Sequence, residues 1–296
     1  MNTRGPSKPS SQAVCSASPL LLRALSASSA EVATIARWRY GATTVDIAPS
    51  DTIRVVMNLI DVRNVRNAAG GYQANRVRGG SISVFPPAEG ARLSVGGDTD
   101  VLQILVKQSY AEVVLESHLA GPSMFDLRDA RMQAIIMQIL VGSAQRGPDD
   151  ALMMEEGLHY LARRIDDHAT RLRVQQRTPV VRERGGLAPA ALRKVEDLIS
   201  VALEEASSLS LFDMASAAGL SVTHFARAFR YEKGLAPHKY LVRRRMERAI
   251  SLLRSPHVPV AEVADKAGFS TPAHFVASFR SAMGVTPGAV RAALAK

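Results

Sequence analysis

The chain has 296 residues, 47% of them hydrophobic, which is enough for two domains that each bury a sizeable core. No apolar run approaches the roughly 18 residues that cross a bilayer, so we expect no transmembrane helix. The formal net charge of +10 is unevenly placed: residues 1–170 hold 17 basic and 17 acidic side chains, whereas residues 171–296 hold 20 and 10. A basic excess confined to one end predicts a nucleic-acid-binding domain joined to a neutral partner domain.

Residues 1–28 are rich in Ser, Ala and Pro and are predicted to form a mobile tail. The apolar run Leu20–Leu22 is too short, and too closely followed by Arg23, to be the core of a secretory signal. The single cysteine, Cys15, lies in this tail, so we expect neither an internal disulfide nor a cysteine-based metal site. A reducing, cytoplasmic location fits this composition.

Residues 29–170 are predicted to form a β-rich domain, because short stretches rich in Val, Ile and Leu are separated by turn residues. This spacing favours an antiparallel barrel or sandwich followed by helices. The predicted strands are Ala33–Tyr40, Thr43–Ala48, Ile53–Ile60, Ser81–Phe85, Arg92–Val95 and Val101–Val106. The predicted helices are Ser109–Leu119, Asp129–Ala144 and Ala151–Asp167. The apolar stripe Ile135–Leu140 is interpreted as helix-to-helix core, with a dimer seam as the alternative.

The interior of such a barrel could hold a small molecule. The residues predicted to line it are Trp38, Tyr40, Met57, Tyr72 and Phe85. An ordinary filled core explains each of them equally well, and explains Phe85 better. Four strand arginines could anchor a carboxylate, although exposed arginines on strands are common: Arg37, Arg39, Arg54 and Arg76. A metal-binding barrel needs histidine and carboxylate ligands on its strands, and no histidine precedes His118, so we expect no metal.

Residues 171–187 are predicted to be a basic, semi-flexible linker, because they contain Pro179, Gly185-Gly186 and five arginines. Such a linker would add nonspecific attraction to DNA that depends steeply on salt.

Residues 188–296 contain the same helix-turn-helix pattern twice, at about 209–232 and about 259–281. Gly219 and Gly268 supply the turn, and Ser210, Ser221 and Ser270 are predicted helix N-caps. The second helix of each copy carries two phenylalanines four residues apart that form a buried face: Phe225 and Phe229, then Phe275 and Phe279. The copies are 49 residues apart up to the turn and 50 after it. One additional residue therefore lies at the start of the second helix of the second copy.

The face opposite the phenylalanines is small, polar and basic, as expected of a helix that enters the major groove. The predicted DNA-contacting residues are Ser221, Val222, Thr223, His224, Ala226, Arg227 and Arg230 in the first copy and Thr271, Ala273, His274, Ala277 and Arg280 in the second. The first face has more hydrogen-bonding groups, so the first copy is predicted to read bases and the second to fix register on phosphates. A partly buried ring that bridges its own unit is the alternative for both histidines, and it is favoured for His224.

A helix at about 237–254 is predicted to join the copies, because its apolar residues follow helical spacing and Ser255-Pro256 ends the run. Its basic residues are predicted to meet the phosphates between two major-groove segments: Arg243, Arg244, Arg245 and Arg248. The alternative is that some of them pair with Glu247 or Glu262 and coat a surface.

The stretch from Leu209 to Arg291 resembles the DNA-binding domain of the AraC/XylS family of bacterial transcription regulators. The resemblance is carried by "LSLFDMASAAGLSVTHFARAFRYEKGLAPHKYL", "RMERAISLL", "VPVAEVADKAGFS" and "HFVASFRSAMGVTPGAVR". It implies two helix-turn-helix units on a long helix that bind asymmetric promoter sites. The base-reading positions that it implies are Thr223, Ala226, Arg227, Ala273, His274 and Ala277.

The segment "RGGSISVFPPAEGARLSVGGDTDVLQILV" is similar to the cupin-like sensor and dimerisation region of many such regulators. The expected fold is therefore a two-domain α+β chain: a cupin-like β-barrel or sandwich with following helices, then an all-α domain with two helix-turn-helix units. The resemblance implies a transcription regulator, most often an activator, with promoter DNA and RNA polymerase as partners, a small-molecule effector and a homodimeric state.

Two other classes of function are weighed against the regulator. An architectural, ligand-independent DNA-binding protein would show no sequence preference. An enzyme fused to a DNA-binding domain is disfavoured, because the only cysteine lies in the tail and Gly79-Gly80 is a turn signal and not a cofactor fingerprint. We expect no enzymatic activity, no cofactor and no membrane partner.

Overall fold

The computed structural model describes residues 18–27, 30–68, 71–87, 89–115, 122–144, 148–177 and 186–295. The chain divides into two compact units, Met1–Val174 and Gln175–Ala295, here called the sheet unit and the helical unit. The predicted fold class is confirmed, since antiparallel sheets and their following helices form the first unit and helices alone form the second. Over the described residues, no helix combines the length and the apolar character that a bilayer crossing requires.

Two antiparallel sheets make up most of the sheet unit. The strands, β1 to β10 in chain order, are Leu21–Ala27, Ala30–Tyr40, Thr43–Ile47, Thr52–Asn58, Val62–Asn67, Gln73–Val77, Ile82–Phe85, Ala91–Val95, Thr99–Lys107 and Met124–Leu127. The first sheet has the order β1-β2-β9-β4-β7-β10, and the second has the order β3-β8-β5-β6. Four strands have no counterpart among the sequence predictions, namely β1, β5, β6 and β10.

The prediction of a mobile tail is wrong for Leu21–Ala27, which form the edge strand β1. This strand pairs antiparallel with β2, from Leu21 opposite Arg37 to Ala27 opposite Ala30. Leu21 and Leu25 lie on one face of the strand and are buried, because side chains alternate between the faces of a sheet. Tertiary pairing therefore orders a segment whose Ser- and Ala-rich composition suggests a loop. Cys15 lies outside the described residues.

Three helices complete the sheet unit: α1 (Gln108–Leu115), α2 (Ala130–Gly142) and α3 (Pro148–Arg177). Gly157 of α3 lies against α2, where a Cβ atom would stand 3.0 Å from Ile139 Cγ1. Ile139 is fully buried there, as the helix-to-helix interpretation of its stripe predicts. The prediction of a semi-flexible linker is wrong for residues 171–177, which continue α3, because neither glycine nor proline occurs between Gly157 and Pro179. Residues 178–185 lie outside the described ranges.

Asp129 joins the beginning of α2 to α3. Its carboxylate caps α2 by accepting hydrogen bonds from the backbone N of Arg131 at 2.9 Å and of Met132 at 3.2 Å. It also accepts hydrogen bonds from Arg164 Nε at 2.7 Å and pairs with His168 Nε2 at 2.8 Å. Burial by itself raises the pKa of Asp129, but the hydrogen bonds from His168 and the backbone, together with the charge of Arg164, outweigh it and hold the pKa well below its usual range.

The helical unit contains seven helices among its described residues. They are α4 (Pro189–Glu204), α5 (Leu211–Ala217), α6 (Val222–Lys233), α7 (Pro237–Leu253), α8 (Val260–Lys266), α9 (Pro272–Met283) and α10 (Pro287–Ala295). α5 and α6 form the first helix-turn-helix unit, α8 and α9 form the second, and α7 lies between them in the chain. Gly219 and Gly268 have φ values of 68° and 80°, the left-handed conformation that ends a first helix and turns the chain.

Candidate nucleic-acid interface and interior cavity

The recognition helix α6 is held by its apolar face. Ser221 caps the helix by accepting a hydrogen bond from the backbone N of His224 at 3.4 Å. Phe225 and Phe229 are fully buried, with ring centroids 5.3 Å apart. Phe229 also meets Tyr240 of α7 edge to face at 5.2 Å. The phenylalanines therefore fix one face of α6 in the core and leave the opposite face to solvent.

The predicted contact residues of α6 lie on this outer face, where only Ala226 is half-buried. The exposed ones are Ser221, Val222, Thr223, His224, Arg227 and Arg230. The favoured interpretation of His224 as a partly buried bridge is wrong, because Phe225 takes the inward position beside it and turns the imidazole outward. The Arg227 side chain makes no hydrogen bond or ion pair with any residue that the structure describes. That these side chains touch DNA remains a prediction.

The second recognition helix, α9, begins one residue later than the sequence pattern indicates. Its N-cap is Thr271, whose Oγ1 accepts a hydrogen bond from the backbone N of His274 at 3.1 Å. The predicted cap, Ser270, is therefore wrong: it is the additional residue of this copy, and it precedes the cap. Pro272 occupies the first helical position, where its missing N–H removes no hydrogen bond.

The predicted contact residues of α9 are all exposed: Thr271, Ala273, His274, Ala277 and Arg280. The His274 ring stands edge-on to Phe269, with centroids 5.7 Å apart, so this histidine is exposed yet braced by its own unit. Arg280 is the charged residue of this face, whereas α6 presents Arg227 and Arg230. The difference in hydrogen-bonding groups on which the sequence prediction depends is therefore present on the folded surface.

The arginines of α7 do not form one exposed cluster. Arg244 is only 6% exposed, and its Nη1 donates a hydrogen bond to Glu247 Oε2 at 2.8 Å. Arg243 lies over the Tyr240 ring, with its Cζ atom 4.8 Å from the centroid. Burial lowers the pKa of Arg245, whose guanidinium approaches the Phe269 ring at 5.9 Å.

The predicted phosphate contact of Arg244 is therefore wrong, because this residue forms a buried ion pair. Buried residues precede and follow Arg244 in α7, among them Leu241 and Met246. The Arg244 side chain is covered together with them. Pairing with Glu247, the alternative interpretation of this cluster, is what the structure shows for Arg243 and Arg244.

An interior cavity lies in the sheet unit, lined by strands of both sheets. Its volume is about 960 Å³ when its open mouth is included. Its lining residues include Trp38, Tyr40, Arg54, Val56, Asn58, Tyr72, Phe85 and Phe125. Four of the five predicted lining residues are in this set, so the aromatic residues chosen from the sequence surround a real space.

Met57, the fifth predicted residue, does not line the cavity. It is fully buried, but it alternates along β4 with Arg54, Val56 and Asn58, which do face the cavity. Its side chain consequently lies on the opposite face of the sheet together with Val55. The two-residue period of a strand could have separated these positions only if the register of β4 were known.

Three of the four candidate anchoring arginines are engaged elsewhere. Arg37 donates from Nε to Asp100 Oδ1 at 2.9 Å and from Nη2 to Asp100 Oδ2 at 2.8 Å. Arg39 reaches the same carboxylate at 3.1 Å, and Arg76 donates from Nε to Asp61 at 2.7 Å. Arg54 alone among the four lines the cavity.

An aromatic wall, consisting of Tyr72, Phe125 and Phe85, borders the cavity. Tyr72 stacks on Phe125 with centroids 4.4 Å apart, and Phe125 meets Phe85 edge to face at 5.5 Å. Burial, and then the charge of Asp126, raise the pKa of Tyr72 to about 12, so its hydroxyl stays protonated. Phe125 is absent from the sequence prediction, because β10 has only four residues and no clear alternation of apolar and polar side chains.

Across the described ranges, no three His, Cys, Asp or Glu side chains are grouped closely enough to hold a metal ion. The chemistry of the cavity is instead that of buried hydrogen-bond donors among apolar residues.

Comparison with known proteins finds a family match at the carboxyl end of the chain. A family model described as a helix-turn-helix domain matches residues 214–293. The probable transcriptional regulator LumQ of Photobacterium leiognathi is 30% identical over 101 residues, which are 32% of this chain and 41% of LumQ. The transcriptional activator NphR of Rhodococcus sp. is 35% identical over 100 residues, which are 34% of this chain and 29% of NphR.

Two further comparisons are with an AraC-like regulator and with a solved DNA-binding domain. The putative AraC-like transcription regulator of Streptomyces antibioticus is 31% identical over 88 residues, which are 30% of this chain and 29% of that protein. The crystal structure of the DNA-binding domain of AdpA in complex with a target DNA is 33% identical, with a TM-score of 0.32, and the match covers 34% of this chain and 91% of that one. The chain spans less than half the length of the curated relatives named here.

The paired units and their family match define the helical unit as a DNA-binding helix-turn-helix domain. The relatives named above include an AraC-like transcription regulator, and the carboxyl-terminal domain of this chain is similar to AraC-type domains.

Proposed function

We propose that this chain is a sequence-specific DNA-binding regulator of transcription whose sheet unit responds to a small molecule. The observation that carries the proposal is the pair of recognition helices, α6 and α9, each anchored by two buried phenylalanines and exposed on the opposite face. A helix of this kind fits the major groove of B-DNA, where base edges can be distinguished. The basic excess of residues 188–296, fifteen positive against nine negative side chains, supplies the attraction to phosphates.

The two helices would divide the work of recognition. α6 presents Thr223 and Arg227 beside Arg230, and these groups can hydrogen-bond to base edges. α9 presents mainly alanines at the corresponding positions, with Arg280 at its far end. In this proposal α6 sets sequence preference, and α9 positions the domain on the phosphates.

The sheet unit would act as the sensor, because it contains a mostly apolar cavity with a few polar groups, which is the usual character of a small-molecule site. A ligand can act only by binding two states of the protein with different affinity, so the effector would shift the population that is competent for promoter binding. We propose activation through contact with RNA polymerase, in keeping with the name of the relative NphR, a transcriptional activator. We further propose that the active species is a homodimer.

The test is selection of bound sequences by the full chain from random double-stranded DNA. The proposal expects an enriched, asymmetric motif with two blocks about one helical turn, or roughly 10.5 base pairs, apart. Binding of all sequences with equal affinity would instead identify an architectural protein, and no binding at low ionic strength would refute the proposal. Transcription from a promoter that carries the selected site then separates activation from repression.

A further inference from the structure

Arg54 differs from the other arginines of the sheet unit in that its side chain is buried and has no partner among the residues that the structure describes. Its side chain lies on β4, near the middle of the first sheet, and the residue is 4% exposed. The guanidinium makes no hydrogen bond or ion pair with any other residue of the described ranges, and its Nε atom is enclosed without an acceptor. A buried charge without a partner is unfavourable, so a group like this is seldom retained for folding alone.

Another buried guanidinium of the same sheet is paired with a carboxylate. Arg37 is as deeply buried as Arg54, and Asp100 receives it through two hydrogen bonds of 2.9 and 2.8 Å. The cavity offers Arg54 no comparable acid. Asp46, the one carboxylate among the lining residues, already accepts hydrogen bonds from Arg92.

Two other enclosed polar atoms of the cavity also lack partners among the described residues, and both are donors. They are the indole Nε1 of Trp38 and the hydroxyl of Tyr72. The pKa of Tyr72, raised to about 12, keeps that hydroxyl protonated at neutral pH. A space with several unsatisfied donors and no free carboxylate is complementary to a ligand that carries acceptor oxygens.

The apolar part of the cavity begins directly beside the guanidinium. Arg54 pairs with Phe85 across the β4–β7 ladder, and paired residues of neighbouring strands point to the same face. Phe85 in turn touches Phe125, on which Tyr72 is stacked. Asn58 marks the far end of the β4 lining, four residues or about 13 Å along the strand from Arg54.

We propose that the cavity binds an organic acid, whose carboxylate is held by Arg54 and whose flat apolar body lies against the aromatic wall. The guanidinium fork matches the two oxygens of a carboxylate, and rings favour a planar partner. A single cation in a mostly apolar space suits one negative charge, which favours a monocarboxylate over a phosphate ester. This inference rests on the proposed sensor role and names the class of the effector.

The experiment measures binding of four aromatic acids to the full chain without DNA: benzoate, 4-tert-butylbenzoate, cinnamate and 2-naphthoate, each beside its uncharged primary amide. Calorimetry gives the affinities. Fluorescence gives a second readout for the acids that do not absorb where tryptophan is excited, because Trp38 is the only tryptophan in the chain and it lines the cavity. We expect at least one acid to bind roughly tenfold more tightly than its amide.

Arg54→Met is the decisive variant, since methionine keeps a long side chain and removes the charge. It should abolish the preference for acid over amide, whereas the control Arg63→Met, at an exposed arginine of β5, should retain it. Arg54→Met should also raise the Tm of the ligand-free protein, because it removes a buried charge without a partner. This rise shows that lost binding is not lost folding.

Three results overturn the inference: no acid binds at about 1 mM, acid and amide bind equally, or Arg54→Met keeps the preference. A lowered Tm in Arg54→Met would likewise count against an unpartnered Arg54. The proposed regulator role fails separately. Acid binding that leaves promoter affinity and transcription unchanged would refute the sensor role and leave the binding site standing. Sequence-specific DNA binding without acid binding would refute the binding site and leave the DNA-binding role standing.

Discussion

Replacing Arg227 by alanine removes an exposed guanidinium from the centre of the outer face of α6. Because the side chain has no hydrogen bond or ion pair with the described residues, the folded protein should lose little, within about 0.5 kcal/mol of its unfolding free energy. A bidentate contact from arginine to a base contributes about 1–3 kcal/mol of discrimination. The affinity for the selected DNA site should therefore fall by about 5- to 150-fold at constant salt.

Fluorescence anisotropy with the selected site and with a scrambled duplex provides the measurement. A base-reading Arg227 predicts a large loss on the selected site, a small loss on the scrambled one and relaxed preference in a repeated selection. The matched control is Arg193→Ala, which removes another exposed charge from α4, outside both helix-turn-helix units. Equal losses for both variants on both duplexes would show that Arg227 acts only as a general charge, and an unchanged affinity would refute the assigned face.

Three further predictions test the caps, the α2–α3 junction and the division of the chain. Thr271→Ala should destabilise the helical unit by about 0.5–2 kcal/mol in urea unfolding, and Ser270→Ala should have almost no effect, because only the former removes an N-cap acceptor; equal effects would contradict the observed start of α9. The pKa of Asp129 is lowered in the folded state, so its stabilising contribution is present above the unfolded pKa of about 4 and is lost as the pH falls below it. Asp129→Asn should therefore lower the urea midpoint at pH 7, and its difference from wild type should shrink at pH 3; a constant difference would exclude this ion pair as the cause. In gel shifts, residues 188–296 alone should bind DNA and residues 1–187 alone should not, and binding by the latter would refute the assignment of DNA recognition to the helical unit.

The helical unit was largely readable from sequence because its structure depends on near neighbours. Phenylalanines four residues apart, a glycine at the turn and a hydroxyl cap are local signals, and all of them recur in the two copies. The one wrong cap has a local cause as well, since Ser270 and Thr271 are adjacent hydroxyl residues and only the position of Pro272 at the first turn decides between them. The helix α4 has no counterpart among the sequence predictions.

The structure of the sheet unit is harder to predict from sequence, since most of its side chains meet partners that are distant in the chain. For Met57, sequence gives the two-residue period of the strand and leaves open which face is inward. β1 is a different case, because its partner β2 begins only three residues after it and its own apolar alternation is weak. In the helical unit, the helical spacing of α7 does not say how much of that helix is covered, so the burial of Arg244 could not be predicted.

The sequence by itself determined that this chain ends in a doubled, basic helix-turn-helix domain, because helix periodicity, turn glycines and charge are properties of short segments. Only the tertiary structure decided which of several similar arginines is left without a side-chain partner among the described residues. Arg37 finds Asp100 across 63 positions of chain, whereas the guanidinium of Arg54 faces the cavity and is paired with no carboxylate of the described ranges. Pairing of this kind depends on strand order and register, which no short segment specifies.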